Sequence, residues 1–86
     1  MYSRTSDVLV GRGVIDYRFV ESDVHANYKV VASITEVSDP GGLPKIGAAG
    51  LMIYSVSPGE GEIWVKLEIK WVHDLHYRLT FFIETP

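Results

Sequence analysis

Apolar and polar residues alternate along most of the chain, and this alternation predicts β-strands. The pattern is clearest over residues 62–84, where Ile63, Val65 and Leu67 occupy every second position and Trp64 stands among the charged residues between them. A two-residue period places alternate side chains on opposite faces of an extended chain. We predict strands over residues 7–20 (interrupted at 11–13), 26–37, 50–56, 62–72 and 75–84.

For two segments the sequence allows more than one interpretation. Asp23 can cap a helix over residues 23–33, but the β-branched residues in and after this segment, among them Val30 and Val31, favour a strand. Residues 38–50 are rich in glycine and proline and predict a loop that is long for so small a chain. That loop either crosses between two sheets or contributes directly to function.

The turn-forming breaks predict that consecutive strands pair as antiparallel hairpins. Facing residues in such a pair share one face of the sheet, so apolar residues should lie opposite apolar residues. This criterion gives one register for each of three hairpins. The residues that flank the three loops are paired as Val20 with His25, Val56 with Glu62, and Trp71 with Leu75.

These strands predict an all-β fold. Each hairpin has one apolar face, and no helical segment is available to cover it, so the apolar faces must cover one another. We predict a single domain over residues 1–86: a small antiparallel sandwich or barrel of five or six strands built from consecutive hairpins. Gly11 and Gly13 suit a bulge or sharp bend at which a strand turns a barrel corner or changes sheet.

Composition narrows the classes of function. The chain has 86 residues, a net charge of −3 and no cysteine, and 47% of its residues are hydrophobic. Its lysines and arginines are scattered, so we expect neither nucleic-acid binding nor attachment to an anionic membrane. No apolar run reaches the ~20 residues of a membrane span. We expect a soluble, cytoplasmic protein without disulfides, with a chain that is either complete or a mature form already trimmed.

Candidate metal ligands and catalytic groups are few. His25, His73 and His76, with Asp23 and Asp74, resemble a metal site in composition, but all five lie in or beside predicted turns, where solvated polar residues are ordinary. We therefore predict no metal site and no cofactor.

The acidic residues and serines do not suggest catalysis either. In the predicted registers Asp16 faces Lys29 and Glu68 faces Arg78, so both carboxylates have ordinary cross-strand partners. Most of the serines lie at strand ends or in turns, and none has the motif of an activated nucleophile. We predict no catalytic residues and a protein that is not an enzyme.

One face of the predicted sheet carries exposed aromatic residues. In the hairpin registers above, Tyr54, Trp64 and Phe82 form a row across three strands, beside Lys66 and Arg78. Aromatic residues with a neighbouring arginine are typical of protein interfaces. The face is either covered by the chain itself, bound by another protein, or used as a stacking platform for sugars or bases.

We predict from this face a non-enzymatic binding or assembly module. Its partner-binding residues are Tyr54, Trp64, Lys66, Arg78 and Phe82, and its expected partner is another protein, in the first place a second copy. In a larger assembly, edge strands at 7–20 or 75–84 would add to a neighbour's sheet. The alternative is a β-barrel that binds a small ligand or carbohydrate, with weak catalytic activity as a further option.

Overall fold

Seven β-strands make up most of the chain. The structure is a computed structural model, and it describes residues 1–38 and 49–86. Most of the predicted 38–50 loop therefore lies outside the described residues. The strands are β1 (Tyr2–Thr5), β2 (Leu9–Gly11), β3 (Gly13–Val20), β4 (Lys29–Glu36), β5 (Gly50–Gly59), β6 (Glu62–Lys70) and β7 (Leu75–Glu84).

The prediction of an all-β fold is confirmed, with more strands than the five or six expected. Residues 29–36 form a strand, and the helix considered over 23–33 does not form. The additional strand is β1, which the sequence pattern did not suggest. Within the two described ranges, no helix is long and apolar enough to cross a membrane.

The strands pair into two antiparallel sheets. In the β7 sheet, β7 is central, with β4 along one side and β1 and β2 in succession along the other. In the β6 sheet, β6 is central between β3 and β5. The described strands therefore form two separate sheets and do not close into one barrel.

The predicted series of hairpins is wrong in two of its three steps. β3 pairs with β6 and not with β4, so Val20 lies opposite Glu62 and not opposite His25. β7 pairs with β1, β2 and β4 but not with β6, so Trp71 and Leu75 do not begin a ladder. Loops 21–28 and 71–74 each carry the chain from one sheet to the other.

The middle hairpin forms, but its register differs from the prediction. Gly59 pairs with Glu62 around a two-residue loop, in which Gly61 has a φ of 77°. Glycine adopts this conformation without a steric penalty, which favours the tight turn over the longer predicted loop. A bulge at Tyr54 then shifts the pairing between Ile53 and Ser55.

The core lies between the two sheets and is built mainly from the central strands. Phe19 of the β6 sheet stacks on Phe81 of the β7 sheet, with ring centroids 4.6 Å apart. Full burial of one large apolar side chain contributes ~1.5–3 kcal/mol to stability. The buried core residues are Val24, Ile63, Val65, Leu67, Ile69, Tyr77, Leu79, Phe81 and Ile83.

The predicted bend at Gly11-Arg12-Gly13 is where the chain changes sheet. Gly11 ends β2 in the β7 sheet, and Gly13, with a φ of 75°, begins β3 in the β6 sheet. The Arg12 guanidinium donates a hydrogen bond of 2.6 Å to the carbonyl of Val72 and lies 3.7 Å from the carboxylate of Asp74. These contacts hold the bend against the 71–74 loop.

Ser6 joins β1 to β2 along the side of β7. Its backbone N–H donates to the carbonyl of Leu79 at 2.8 Å, and its Oγ accepts a hydrogen bond from the Leu79 N–H at 3.0 Å. The same hydroxyl donates to the carbonyl of Asp7 at 2.8 Å. The buried backbone of β7 is therefore satisfied across the gap between the two short strands.

Candidate association surface

The five predicted partner-binding residues lie on two opposite surfaces. Tyr54, Trp64 and Lys66 point outward from the β6 sheet, whereas Phe82 and Arg78 point outward from the β7 sheet. Because the sheets pack through their inner faces, these outward side chains point in opposite directions. The predicted row of three aromatic residues is therefore wrong, although each aromatic side chain is exposed as predicted.

The outer face of the β6 sheet carries Trp64 on its central strand, and we call it the Trp64 face. The indole is 45% exposed although β6 is the central strand, and its cross-strand neighbours are Arg18 on β3 and Ser57 on β5. Five large apolar side chains are exposed on this face: Val14, Val20, Met52, Tyr54 and Trp64.

Charged residues of both signs surround these apolar side chains. Three carboxylates and three cations point outward from the strands of the Trp64 face, so its formal charge is zero, whereas the whole chain carries −3. Neutral faces with mixed charges can meet identical faces without net repulsion. The six residues are Asp16, Glu62, Glu68, Arg18, Lys66 and Lys70.

Glu62 orients the indole of Trp64. The Trp64 Nε1–H donates to one oxygen of the Glu62 carboxylate, and Arg18 Nε approaches the same oxygen at 3.2 Å. The hydrogen bond from Arg18, followed by that from Trp64, lowers the pKa of Glu62 below its usual value. Glu62 is therefore ionised at neutral pH and fixes the polar edge of the ring.

Tyr54 is held in a similar way at the other end of the face. It is the extra residue of the β5 bulge, and its hydroxyl donates to the carboxylate of Glu68. This hydrogen bond stabilises the neutral phenol, which raises the pKa of Tyr54. Both exposed aromatic side chains thus have a fixed polar end and a free apolar ring.

The opposite surface, the outer face of the β7 sheet, has a smaller apolar patch. Phe82 is 44% exposed and lies between Ser3 on β1 and Val31 on β4. The next row along the strands consists of Thr5, Thr80 and Ser33. Apart from Phe82, the exposed aromatic and methionine side chains that point outward from the described strands lie on the Trp64 face.

The histidines considered as metal ligands lie in different contexts. His25 Nδ1 is 2.6 Å from Glu60 Oε2, which joins the 21–28 loop to the β5–β6 turn. His76 is on β7, and His73 is in the 71–74 loop. In the part of the chain that the structure describes, no three His, Asp or Glu side chains come together in a group that could hold a metal ion.

Sequence reasoning missed several residues of the Trp64 face. Alternation within 13–20 indicated that Val14, Arg18 and Val20 share one side of β3, but nothing local identified β6 as the neighbouring strand. The choice of neighbour depends on how the whole chain packs.

Comparison of the chain with known protein families, curated proteins and solved structures finds no match.

Proposed function

We propose that the two sheets form a small β-sandwich that acts as a non-enzymatic association module and binds a second copy of itself through the Trp64 face. The observation that carries this proposal is the half-exposed indole on the central strand of the β6 sheet. Tryptophan, tyrosine and arginine are the residues most enriched at binding hot spots, and Trp64, Tyr54 and Arg18 lie together on this face.

The charge balance of the face supports a second copy as the partner. A two-fold symmetric interface brings the same surface patch of each copy together, so the patch must be complementary to itself. The Trp64 face carries equal numbers of both signs, with Asp16 and Arg18 along one strand and Lys66 and Glu68 along the next. A strongly acidic or basic face would instead favour a partner of opposite charge.

The area of the face limits the expected affinity. β6 has 9 residues, which gives a length of ~30 Å, and three strands span ~14 Å. The resulting footprint of ~400 Å² is about half of the ~800 Å² per partner in a typical stable interface. We therefore propose a reversible dimer with a Kd on the order of micromolar.

The alternative of a ligand-binding barrel has less support. Its binding site would be the mouth of a closed barrel, and the described strands form two open sheets. Stacking of a sugar ring on Trp64 would change tryptophan fluorescence without changing the mass of the protein, which separates it from self-association.

Sedimentation of wild-type and substituted proteins tests the proposal. Trp64→Ser should raise the dimer Kd by ~30-fold or more, since hot-spot truncations cost ~2 kcal/mol or more. Phe82→Ser is the matched control, because Phe82 has nearly the same exposure, 44% against 45%, on the opposite sheet. It should leave the Kd unchanged.

The melting temperature of each variant, measured at a concentration where it is monomeric, checks that the fold is intact. A wild-type protein that stays monomeric up to ~1 mM contradicts the proposal. An equal loss of association in both variants contradicts the choice of the Trp64 face.

A further inference from the structure

Within residues 1–38 and 49–86, strand β3 forms an edge of the β6 sheet and lacks the features that usually protect such edges. Exposed edge strands pair readily with other chains, and proteins block them by short strands, bulges, prolines or a covering element. β3 runs for 8 residues with regular alternation and contains neither proline nor bulge. Among the described residues, β6 is the only strand that runs alongside it.

The other three edges are each blocked. The β7 sheet ends on one side in β1 and β2, which are only 4 and 3 residues long and are interrupted at Ser6. On the other side β4 lies next to β5 of the β6 sheet, so these two edges face each other. β5 also carries the Tyr54 bulge and Pro58. Among the strands that the structure describes, only β3 offers a long regular edge.

The hydrogen bonds at the end of β3 show which backbone groups point away from the molecule. The Glu21 N–H donates to the carbonyl of Gly61 at 3.1 Å, one step beyond the Val20–Glu62 pair. Residues of an antiparallel strand direct their N–H and C=O groups alternately to the two sides. Odd-numbered residues of β3 therefore bond to β6. The residues that direct their backbone groups to the open edge are Val14, Asp16, Arg18 and Val20.

We infer that β3 pairs antiparallel with β3 of a second copy, about a two-fold axis at Tyr17. In this register Asp16 of each copy lies opposite Arg18 of the other, and Val14 lies opposite Val20. Each of these four pairs exchanges two backbone hydrogen bonds, so the edge gains about eight in total. On the inner side, Ile15 lies opposite Phe19 of the second copy.

Charge selects this register over its neighbours. A shift by two residues in one direction places Arg18 opposite Arg18 of the second copy, and a shift in the other direction places Asp16 opposite Asp16. Like charges directly opposite each other destabilise a sheet, whereas opposite charges stabilise it. A shift by one residue turns the inner side chains outward. The strand is thus complementary to itself in one register.

This inference rests on the proposed self-association and adds a second contact to it. Edge pairing joins two β6 sheets into one sheet of six strands, with both Trp64 side chains on the same outer face. Three strand spacings of ~4.8 Å separate the two copies of β6 by ~14 Å. The edge-paired dimer presents one Trp64 face of twice the width, which approaches the area of a typical stable interface. Face-to-face contact then joins two such dimers into a tetramer, so the edge contact and the face contact have separate dissociation constants.

Charge reversal in β3 tests the pairing. Asp16→Arg alone and Arg18→Asp alone each create two like-charge pairs per edge-paired dimer, and each should raise the Kd of that dimer by about tenfold in sedimentation. An equimolar mixture of the two variants restores opposite charges at both positions and should associate more tightly than either variant alone. Failure of the mixture to recover association overturns the inference.

A proline substitution tests the backbone hydrogen bonds. Val20→Pro removes an N–H that points to the open edge, and proline is tolerated at such edge positions. Val20→Thr is the matched control, because it replaces one exposed methyl group by a hydroxyl and keeps the N–H. We expect Val20→Pro to weaken association about tenfold, while Val20→Thr changes it less than about twofold. Equal effects of both substitutions would assign the loss to the side chain and overturn the pairing.

Amide exchange measured by NMR separates this inference from the proposed function. The amides of Asp16, Arg18 and Val20 should become protected as concentration rises, whereas those of Ile15 and Tyr17 should be protected at all concentrations. If the protein dimerises and Trp64→Ser disrupts the dimer, but these three amides stay unprotected, only the edge pairing fails. A wild-type protein that does not associate at all contradicts both.

Discussion

Replacing Ser6 by alanine tests how the two short strands are held to β7. Ser6 is 6% exposed, and its hydroxyl is the acceptor for the backbone N–H of Leu79, which is fully buried. Alanine keeps the backbone hydrogen bond from Ser6 N–H to the Leu79 carbonyl and removes only the side-chain acceptor. The substitution therefore isolates one hydrogen bond in the middle of the β7 sheet.

The expected cost follows from leaving that N–H without a partner. A buried donor that loses its acceptor costs ~1–3 kcal/mol, and the carbonyl of Asp7, which is only partly buried, is satisfied by water at little cost. We expect the free energy of unfolding to fall by ~2 kcal/mol. A chain of 86 residues has a total stability of ~5–10 kcal/mol, so the melting temperature should fall by ~8–16 °C.

Urea unfolding followed by circular dichroism measures this loss, with Ser33→Ala as the control. Ser33 is exposed on β4, opposite Thr80, and its replacement should change stability by less than ~0.5 kcal/mol. The slope of the unfolding free energy with urea should be the same in all three proteins. If Ser6→Ala and Ser33→Ala have the same stability, the Leu79 amide does not depend on the serine hydroxyl.

Two further predictions concern adjacent residues of β7 and a buried phenol. Phe81→Ala should lower the free energy of unfolding by ~3–5 kcal/mol, because the ring is fully buried against Phe19, whereas Phe82→Ala should cost less than ~1 kcal/mol. Similar losses in urea unfolding would contradict the inward and outward assignment of the two rings. Burial, and secondarily the nearby Tyr17, raises the pKa of Tyr77 above its ordinary value of 10.0. Tyr77 therefore ionises first in the unfolded chain, and the free energy of unfolding should fall above about pH 10. Tyr77→Phe should reduce this fall, as measured by urea unfolding between about pH 8 and 11. The same fall in the variant would refute the role of Tyr77.

The position of each strand and the direction of its side chains could be predicted because both depend on local sequence. Along β6, Ile63 and Val65 are buried while Trp64 and Lys66 are exposed, as the alternation indicated. The same holds for Phe81 and Phe82 on β7. A period of two is a property of one extended chain and does not require knowledge of its neighbours.

The neighbour of each strand could not be predicted from the same pattern. Pairing β6 with β7 and pairing β6 with β3 both place apolar residues opposite apolar residues, so the criterion does not distinguish them. Loop length does not help, since the four residues 71–74 can extend over ~13 Å, which is enough to cross the ~10 Å between packed sheets. The correct choice depends on contacts between distant parts of the chain.

Charge was also a weak guide to pairing. The predicted partner of Asp16 was Lys29, whereas Lys66 lies opposite it in the sheet. Exposed ion pairs contribute only ~0.2–1 kcal/mol, and the chain offers several lysines and arginines at compatible positions. The expected pairing of β6 with β7 places Arg78 and Phe82 on the same face as Trp64, and the structure separates them because β7 belongs to the other sheet. The aromatic residues were identified correctly as exposed, but their grouping required the structure.

The burial of inward-facing side chains distinguishes central strands from edge strands, and this difference bears on function. In β6 the inward residues are fully buried, because strands flank it on both sides. In β3 the inward residues Ile15, Tyr17 and Phe19 are only partly buried, because only one of the described strands, β6, flanks it. Pairing with a second copy would place the same three residues of a neighbouring strand over that flank. The edge therefore has apolar area to bury as well as backbone groups to satisfy, and both favour the same register, with Ile15 opposite Phe19.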